Sequence, residues 1–157
     1  MNIFLEPGGL YISEEPAIVS TILGSCVSVT IYSRRLMIGG ICHALLPRRR
    51  TLNGTGTLRY VDSAISYMLQ KFETIGIRKG EMEVKLLGGA DVFDHMGGHT
   101  KSVGQQNRET ALEIIKSENL NLSVSDVGGN LGRKIHFYTD TGQILVKRIN
   151  RISEVSR

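Results

Sequence analysis

Apolar and polar residues alternate along segments in the first third of the chain, the pattern of β-strands with one buried face. The alternation is clearest over 27–32, where three branched aliphatic residues alternate with two hydroxyl residues and a tyrosine. Segments 16–23 and 37–45 are also rich in Val, Ile and Thr, and only short breaks separate them from 27–32. The pattern predicts three strands that pair with their neighbours, the middle one with a wetter, polar face.

Further along, apolar residues recur at steps of three and four, the spacing of one face of a helix. In the first such segment they are Val61, Ala64, Ile65, Met68, Leu69, Phe72 and Ile75. Gly76 follows and predicts the end of this helix. A second helix is predicted over 105–118, with an inward face made of Ala111, Leu112, Ile114 and Ile115.

The remaining apolar segments predict more strands, at 81–87, 120–127, 134–139 and 143–149. The last two read as a hairpin joined by Thr-Asp-Thr-Gly, although this is not the tight Asn-Gly kind of turn. Because some neighbouring strands are joined by turns and others by helices, the class is α+β or mixed α/β. With 157 residues and no linker or repeat, we expect a single domain over 1–157.

Composition limits the compartment and the kind of partner that the sequence predicts for this protein. Two cysteines suit a reducing compartment better than a disulfide framework. The first residues do not resemble a secretory leader and no apolar run approaches the length of a membrane span, so we expect a cytoplasmic protein without membrane insertion. The net charge of +4 includes a basic run, Arg48 to Arg50. Since aromatic residues are few and no nucleic-acid motif occurs, an acidic protein partner is favoured over nucleic acid.

The chemistry-bearing residues centre on Cys26, which follows the turn Gly24-Ser25 and precedes His43 by 17 residues. A free thiol has a pKa of about 8.5, so a nearby imidazole base is needed to make it a nucleophile at neutral pH. A sharp corner at Gly24 and Ser25 would leave main-chain N–H groups free to form an oxyanion hole. Side chains alternate along a strand, so only one of Cys42 and His43 can face Cys26; we assign His43 to the site and Cys42 to packing. Two buried cysteines and a satisfied histidine remain the commoner outcome for such residues.

Other polar groups are weaker candidates. His95 and His99 beside Asp94 have the spacing of metal ligands on a helix, but Gly97 and Gly98 between them predict a loop, and no metal is expected. The glycine-rich groups lack a phosphate-loop ending. We expect His136 to be a histidine on the sheet surface and Arg133 to cap a solvated edge, rather than to bind a carboxylate.

Several separated motifs together resemble the CheD family, the chemoreceptor glutamine deamidases of chemotaxis. In order they are Leu23 to Cys26, Cys-His-Ala-Leu-Leu-Pro at 42–47, Arg59 to Asp62, Leu87 to Ala90, Asn107, Asp126 to Gly129, and Gly132-Arg133. The match covers nearly the whole chain. It implies a layered α+β sandwich of mixed or antiparallel sheet flanked by helices, similar to the cytotoxic necrotizing factor toxins that act as cysteine deamidases.

The resemblance also implies roles for individual residues. Cys26 is the nucleophile, His43 its base, and Ser20 or Thr21 the hydroxyl that orients His43; Ser20 is favoured because the family's threonine stands six residues before the cysteine. Main-chain N–H groups around Ser25 and Cys26 hold the oxyanion. No cofactor is implied.

The implied substrate is glutamine on the cytoplasmic helices of methyl-accepting chemotaxis receptors, among acidic residues. Arg48 to Arg50 could border the docking surface. A CheC-type phosphatase is a further implied partner, and a non-catalytic adaptor is the alternative function. A cysteine protease or acyltransferase is a third possibility.

Overall fold

A computed structural model describes residues 1–49, 57–92 and 100–150. Nine β-strands lie in these ranges: β1 (Asn2–Phe4), β2 (Leu10–Ser13), β3 (Ile18–Leu23), β4 (Val27–Ser33), β5 (Ile38–Cys42), β6 (Met82–Gly88), β7 (Asn121–Val127), β8 (Gly132–Tyr138) and β9 (Ile144–Ile149). The same ranges hold two α-helices, α1 (Val61–Ile75) and α2 (Val103–Ser117), and two 3-10 turns, Thr57–Arg59 and Lys79–Glu81.

The strands form two mixed sheets. One has the order β1-β3-β8-β9, and the other has the order β2-β5-β4-β6-β7. The pairs β1 with β3 and β6 with β7 are parallel, whereas the other pairs are antiparallel. Both helices pack on one face of the five-stranded sheet, and the four-stranded sheet covers the other face. This arrangement confirms the predicted α+β sandwich with flanking helices.

Helix α1 forms where the apolar spacing predicts it. Six of its apolar side chains are buried against β4 and β5, namely Val61, Ala64, Ile65, Met68, Leu69 and Phe72. Gly76 ends the helix with a positive φ of 103°, a conformation that glycine adopts readily, and its N–H donates to the carbonyl groups of Phe72 and Glu73. The predicted end at Gly76 is confirmed.

Helix α2 begins two residues earlier than predicted, because the Ser102 side chain caps it by accepting from the Gln105 N–H. Ala111 and Ile115 are buried as expected. Leu112 is 36% exposed, so its assignment to the inward face is wrong. Residues 111 and 115 are one helical turn apart and share a face, which 112 leaves.

The expected pairing of β3 with β4 is wrong. The chain leaves the four-stranded sheet at the end of β3 and enters the five-stranded sheet at Val27, so that β4 pairs with β5 and β6. The expected wet face of β4 is also wrong: all seven of its residues are buried. Its polar side chains face the four-stranded sheet, because Val27, Val29 and Ile31 pack on the helix side.

The two most N-terminal strands were not predicted, since β1 has three residues and β2 four. The terminal hairpin is confirmed: β8 pairs with β9, and Gly142 has a φ of 78° in the connecting turn. In the described part of the chain, neither α-helix has the length and apolarity needed to cross a bilayer.

Candidate active site

Cys26 lies at the crossover between the two sheets, immediately before β4. Gly24 and Ser25 form the bend that turns the chain from one sheet to the other. Cys26 is partly exposed and packs against the core between the sheets, which contains Leu23 and Leu87. Burial raises the pKa of its thiol to about 11, because the surroundings disfavour the thiolate.

His43 directly follows β5, in a segment fixed on both sides. Its N–H donates to the Gly9 carbonyl at 3.0 Å and its carbonyl accepts from the Gly8 N–H at 2.8 Å. On the other side, Val27 and Ala44 form an antiparallel bridge. The imidazole is 2% exposed, and burial lowers its pKa to about 4, since the charged form loses its hydration.

The strand register brings His43 and Cys26 to the same layer. The Val27–Ala44 bridge continues the β4–β5 register and makes Cys26 a diagonal neighbour of His43. Such neighbours are about 7–8 Å apart, within reach of long side chains. Ile41 belongs to the core between the sheets and Cys42 to the core under the helices, so His43 faces the same layer as Cys26. The structure contains no hydrogen bond between the described side chains of Cys26 and His43.

Thr21 determines how the imidazole is protonated. Its side chain is fully buried, and its Oγ1 lies 2.7 Å from His43 Nδ1 and 2.7 Å from the Leu5 carbonyl oxygen. A hydroxyl can donate one hydrogen bond, and Thr21 must donate it to the Leu5 carbonyl because a carbonyl oxygen can only accept hydrogen bonds. Thr21 therefore accepts from Nδ1–H of His43, and the unprotonated nitrogen is Nε2. This is the tautomer that a general base requires.

Ser20 does not contact His43. Side chains alternate along β3, so Val19, Thr21 and Leu23 are buried between the sheets and Ser20 points to the outer face. There its Oγ is 2.7 Å from His136 Nδ1, in a partly buried pair. The preference for Ser20 as the partner of His43 therefore differs from the geometry, in which the alternative, Thr21, occupies that place.

The loop at 24–26 is held through its carbonyl groups. The Gly24 carbonyl accepts from the Ala90 N–H at 3.0 Å, and the Cys26 carbonyl accepts from the Gly89 N–H at 2.8 Å. Among the described residues, no acceptor is found for the N–H groups of Ser25 and Cys26. Within the described ranges, two successive main-chain donors beside the thiol thus have no acceptor, as an oxyanion hole requires.

Gly88 allows this close approach of β6 to the Cys26 loop. Its φ is +105°, and a Cβ atom there would lie 2.3 Å from the Cys26 carbonyl oxygen. Only glycine fits both constraints. The sequence marked this segment, since 87–90 is one of the motifs that resemble CheD. It did not show that the segment contacts the Cys26 loop.

The position of Arg133 differs from the one that its sequence context predicts. It is 3% exposed and does not cap a solvated edge. Its guanidinium donates to the Gly128 carbonyl at 3.1 Å and to Asp126 at 3.3 Å, and burial lowers its pKa. Gly128 in turn donates its N–H to the Gly88 carbonyl. Arg133 therefore supports the β6–β7 end next to the Cys26 loop.

Of the other candidates, two have contacts of their own and the rest lie outside the described ranges. Arg48 forms an exposed ion pair with Glu113 at 2.5 Å, and the Arg49 N–H donates to Asp62. Arg50, His95, His99 and Asp94 are outside the described residues. Within the ranges the structure covers, no group of three potential metal ligands occurs.

Comparison with known proteins finds one family. The family model for CheD chemotactic sensory transduction matches residues 45–148. A relative from Geobacter sulfurreducens, named probable chemoreceptor glutamine deamidase CheD 2, is 42% identical over 96% of this chain and 91% of its own length. Proteins named probable chemoreceptor glutamine deamidase CheD are 38% identical in Maridesulfovibrio salexigens, over 96% of this chain and 93% of theirs, and 32% identical in Thermococcus kodakarensis, over 96% and 94%.

Proposed function

The chain belongs to the CheD family of chemotaxis proteins, and we propose that it is a protein-glutamine deamidase that converts glutamine side chains of methyl-accepting chemotaxis receptors to glutamate. The names of the relatives support the activity and the substrate class. The observation that carries the proposal is the hydrogen bond from His43 Nδ1 to Thr21, which leaves Nε2 as a base in the layer that Cys26 faces.

The first half of the proposed reaction forms a thioester. As the glutamine carboxamide enters, Nε2 of His43 takes the thiol proton while Cys26 Sγ attacks the carboxamide carbon. The N–H groups of Ser25 and Cys26 hold the oxyanion of the tetrahedral intermediate. The intermediate collapses when the imidazolium returns the proton to the leaving nitrogen, which departs as ammonia.

The second half hydrolyses the thioester. His43 removes a proton from water, and the resulting hydroxide attacks the thioester carbon. The second tetrahedral intermediate uses the same two N–H donors. The C–S bond then breaks, the thiol recovers its proton from His43, and the product is glutamate.

Burial determines the protonation of the resting site. The pKa of Cys26 is raised to about 11 and that of His43 is lowered to about 4, so thiol and imidazole are both neutral at pH 7. The resting site is therefore not a thiolate–imidazolium pair. We propose that proton transfer accompanies attack, with the ion pair formed only when substrate is bound.

The same observation supports a second candidate function. A thiol that is neutral and not hydrogen-bonded to its base at rest also fits a non-catalytic adaptor that binds receptors or a CheC-type phosphatase. The adaptor predicts binding without chemical change in the receptor. A protease or acyltransferase would instead cleave the receptor chain or transfer an acyl group.

Mass spectrometry of a folded receptor cytoplasmic fragment distinguishes these functions. The fragment is incubated with wild-type protein, with Cys26→Ala and with Cys42→Ala, a matched control because Cys42 packs on the helix side of the sheet. The deamidase predicts conversion of glutamine to glutamate by wild type and Cys42→Ala but not by Cys26→Ala. Receptor binding with no mass change by wild type would reject the deamidase and leave the adaptor.

A further inference from the structure

Asn107 connects α2 to both halves of the candidate site. It is fully buried, and its Nδ2 donates to the Ser25 carbonyl at 2.9 Å and to the Leu45 carbonyl at 2.9 Å. Ser25 precedes the nucleophile, and Leu45 lies opposite Cys26 in the register that continues from the Val27–Ala44 bridge. A carboxamide nitrogen has two N–H groups, which is the number of donors that these two carbonyls need.

The bond to Ser25 fixes the direction of the Cys26 N–H. A trans peptide group is planar, and its C=O and N–H point in opposite directions. By holding the Ser25 carbonyl toward α2, Asn107 turns the N–H of Cys26 away from the helix. The neighbouring peptide group is held in the same manner, since the Gly24 carbonyl accepts from the Ala90 N–H. Each of the two free donors thus belongs to a peptide group whose carbonyl is anchored from outside the loop.

His43 does not depend on Asn107 in this way. Its main-chain groups are held by Gly8 and Gly9, and the next residue, Ala44, is bridged to Val27. The Ser25 carbonyl has no other described donor. The distinctive contribution of Asn107 is therefore the orientation of the Ser25–Cys26 peptide group.

Packing alone does not explain a carboxamide at this position. Among the buried residues that follow it in α2, Ala111 and Ile115 are apolar and only Thr110 is polar. Oδ1 of Asn107 is buried and has no hydrogen-bond partner in the described part of the chain, which is unfavourable. An apolar side chain would leave no unpaired atom of its own, so the two carbonyl bonds account better for the choice of asparagine.

We infer that Asn107 is a positioning residue, which acts by orienting the Cys26 N–H as an oxyanion donor. The inference rests on the proposed deamidase function. A residue with this role contributes to steps that pass through a tetrahedral oxyanion and not to other reactions of the same thiol. That difference separates positioning of the oxyanion donor from general support of the fold.

Two rates measured on the same proteins test this difference. One is the deamidation of the folded receptor fragment, and the other is the alkylation of Cys26 by iodoacetamide, which displaces iodide at a saturated carbon and forms no oxyanion. Cys42 is fully buried, so alkylation of the native protein reports on Cys26. The variants are Asn107→Leu and the isosteric Asn107→Asp. Gln106→Leu is the matched control, because the Gln106 amide donates to the Lys101 carbonyl on the exposed side of the same helix.

In both Asn107 variants we expect kcat for deamidation to fall on the order of a hundredfold, as for a misplaced or lost oxyanion donor, with little change in KM. Alkylation should stay within about threefold of wild type, and Gln106→Leu should match wild type in both rates. Misfolded chains would expose Cys42 as well, so rates are compared only for preparations in which one cysteine per chain is alkylated. Equal losses in both reactions, or no loss in either, would overturn the inference. A wild-type protein that is alkylated but deamidates no receptor would instead overturn the proposed function.

Discussion

Thr21 lies in β3 of the four-stranded sheet and His43 directly follows β5 of the five-stranded sheet. Thr21 Oγ1 and His43 Nδ1 are 2.7 Å apart in the layer between the two sheets. The Leu5 carbonyl, just beyond β1, accepts a hydrogen bond from the Thr21 hydroxyl, so a strand of three residues helps to set the tautomer of the histidine. The relationship is long-range in sequence and depends on how the two sheets are stacked. It leads directly to a prediction that separates Thr21 from Ser20.

Removal of the Thr21 hydroxyl should impair catalysis, and removal of the Ser20 hydroxyl should not. Thr21→Val keeps the volume but leaves Nδ1–H of His43 buried without an acceptor, so the imidazole is free to adopt the tautomer that lacks a base at Nε2. We expect kcat to fall about a hundredfold, within the range that general base catalysis contributes. Thr21→Ser should retain most of the activity. The measurement is receptor deamidation by mass spectrometry; a larger loss in Ser20→Ala than in Thr21→Val would contradict the assignment.

The choice between these two hydroxyls shows what the sequence pattern cannot predict, namely which face of a strand is buried. Both alternating sets of β3 contain apolar residues and one hydroxyl, so the pattern identifies a strand but not its buried face. The face is decided by the five-stranded sheet that packs on it. Cys26 and His43 were identifiable because a cysteine beside a glycine turn and a histidine at the end of a strand are local features.

Arg133 and β4 show that the burial of polar residues cannot be predicted from their own segment of sequence either. The polar residues of β4 predict a face exposed to solvent, but the four-stranded sheet covers that face. Whether these residues are buried therefore depends on how the two sheets stack, which the sequence of one strand does not show. Arg133 reads as a surface cation. It can be buried because its guanidinium donates to Asp126 and to the Gly128 carbonyl, which both lie near the end of β7. Helix α1 was predictable almost to the residue because its spacing and its terminal glycine are both local signals.

Substitution at Gly88 should destabilise the protein and displace the Cys26 loop. Gly88→Ala would place a methyl group against the Cys26 carbonyl at a backbone conformation with positive φ, and the two effects together should lower the free energy of unfolding by at least about 2 kcal/mol. Gly80→Ala is the matched control, because nothing lies within 4 Å of a Cβ atom there. Urea unfolding of both variants is the measurement. Equal stability of the two would mean that the close contact of β6 with the loop is absent in solution.

Acidification should weaken the fold through His43. Its pKa is lowered by burial to about 4 in the folded protein and is about 6.5 when unfolded, so the unfolded chain binds a proton that the folded protein does not. The neutral, buried imidazole makes its full contribution to the free energy of unfolding above pH 6.5. This contribution, on the order of 3 kcal/mol, is lost as the pH falls from about 6.5 to 4. Unfolding free energies at pH 7 and pH 4.5 should therefore differ less in His43→Asn than in wild type. Equal differences would show that the imidazole is not buried in its neutral form.

The basic run Arg48 to Arg50, which follows His43 in the sequence, should strengthen receptor deamidation at low ionic strength. Arg48 is exposed, and its pair with Glu113 lies at the surface, where such pairs are weak, so its guanidinium can pair instead with acidic groups of a substrate. We expect the triple substitution of Arg48, Arg49 and Arg50 to Ser to lower kcat/KM severalfold at low salt, with a smaller difference at high salt because salt screens the attraction.

The matched control removes the same charge from the far end of the five-stranded sheet. Arg34 and Arg35 follow β4 at the end opposite Cys26, and Arg78 precedes β6 at that same end. A triple substitution of these residues to Ser changes the net charge equally but leaves Arg48, Arg49 and Arg50 in place. If both triple variants lose activity alike, net charge alone explains the attraction. If the first retains wild-type kcat/KM and salt dependence, the basic run Arg48 to Arg50 does not guide the receptor.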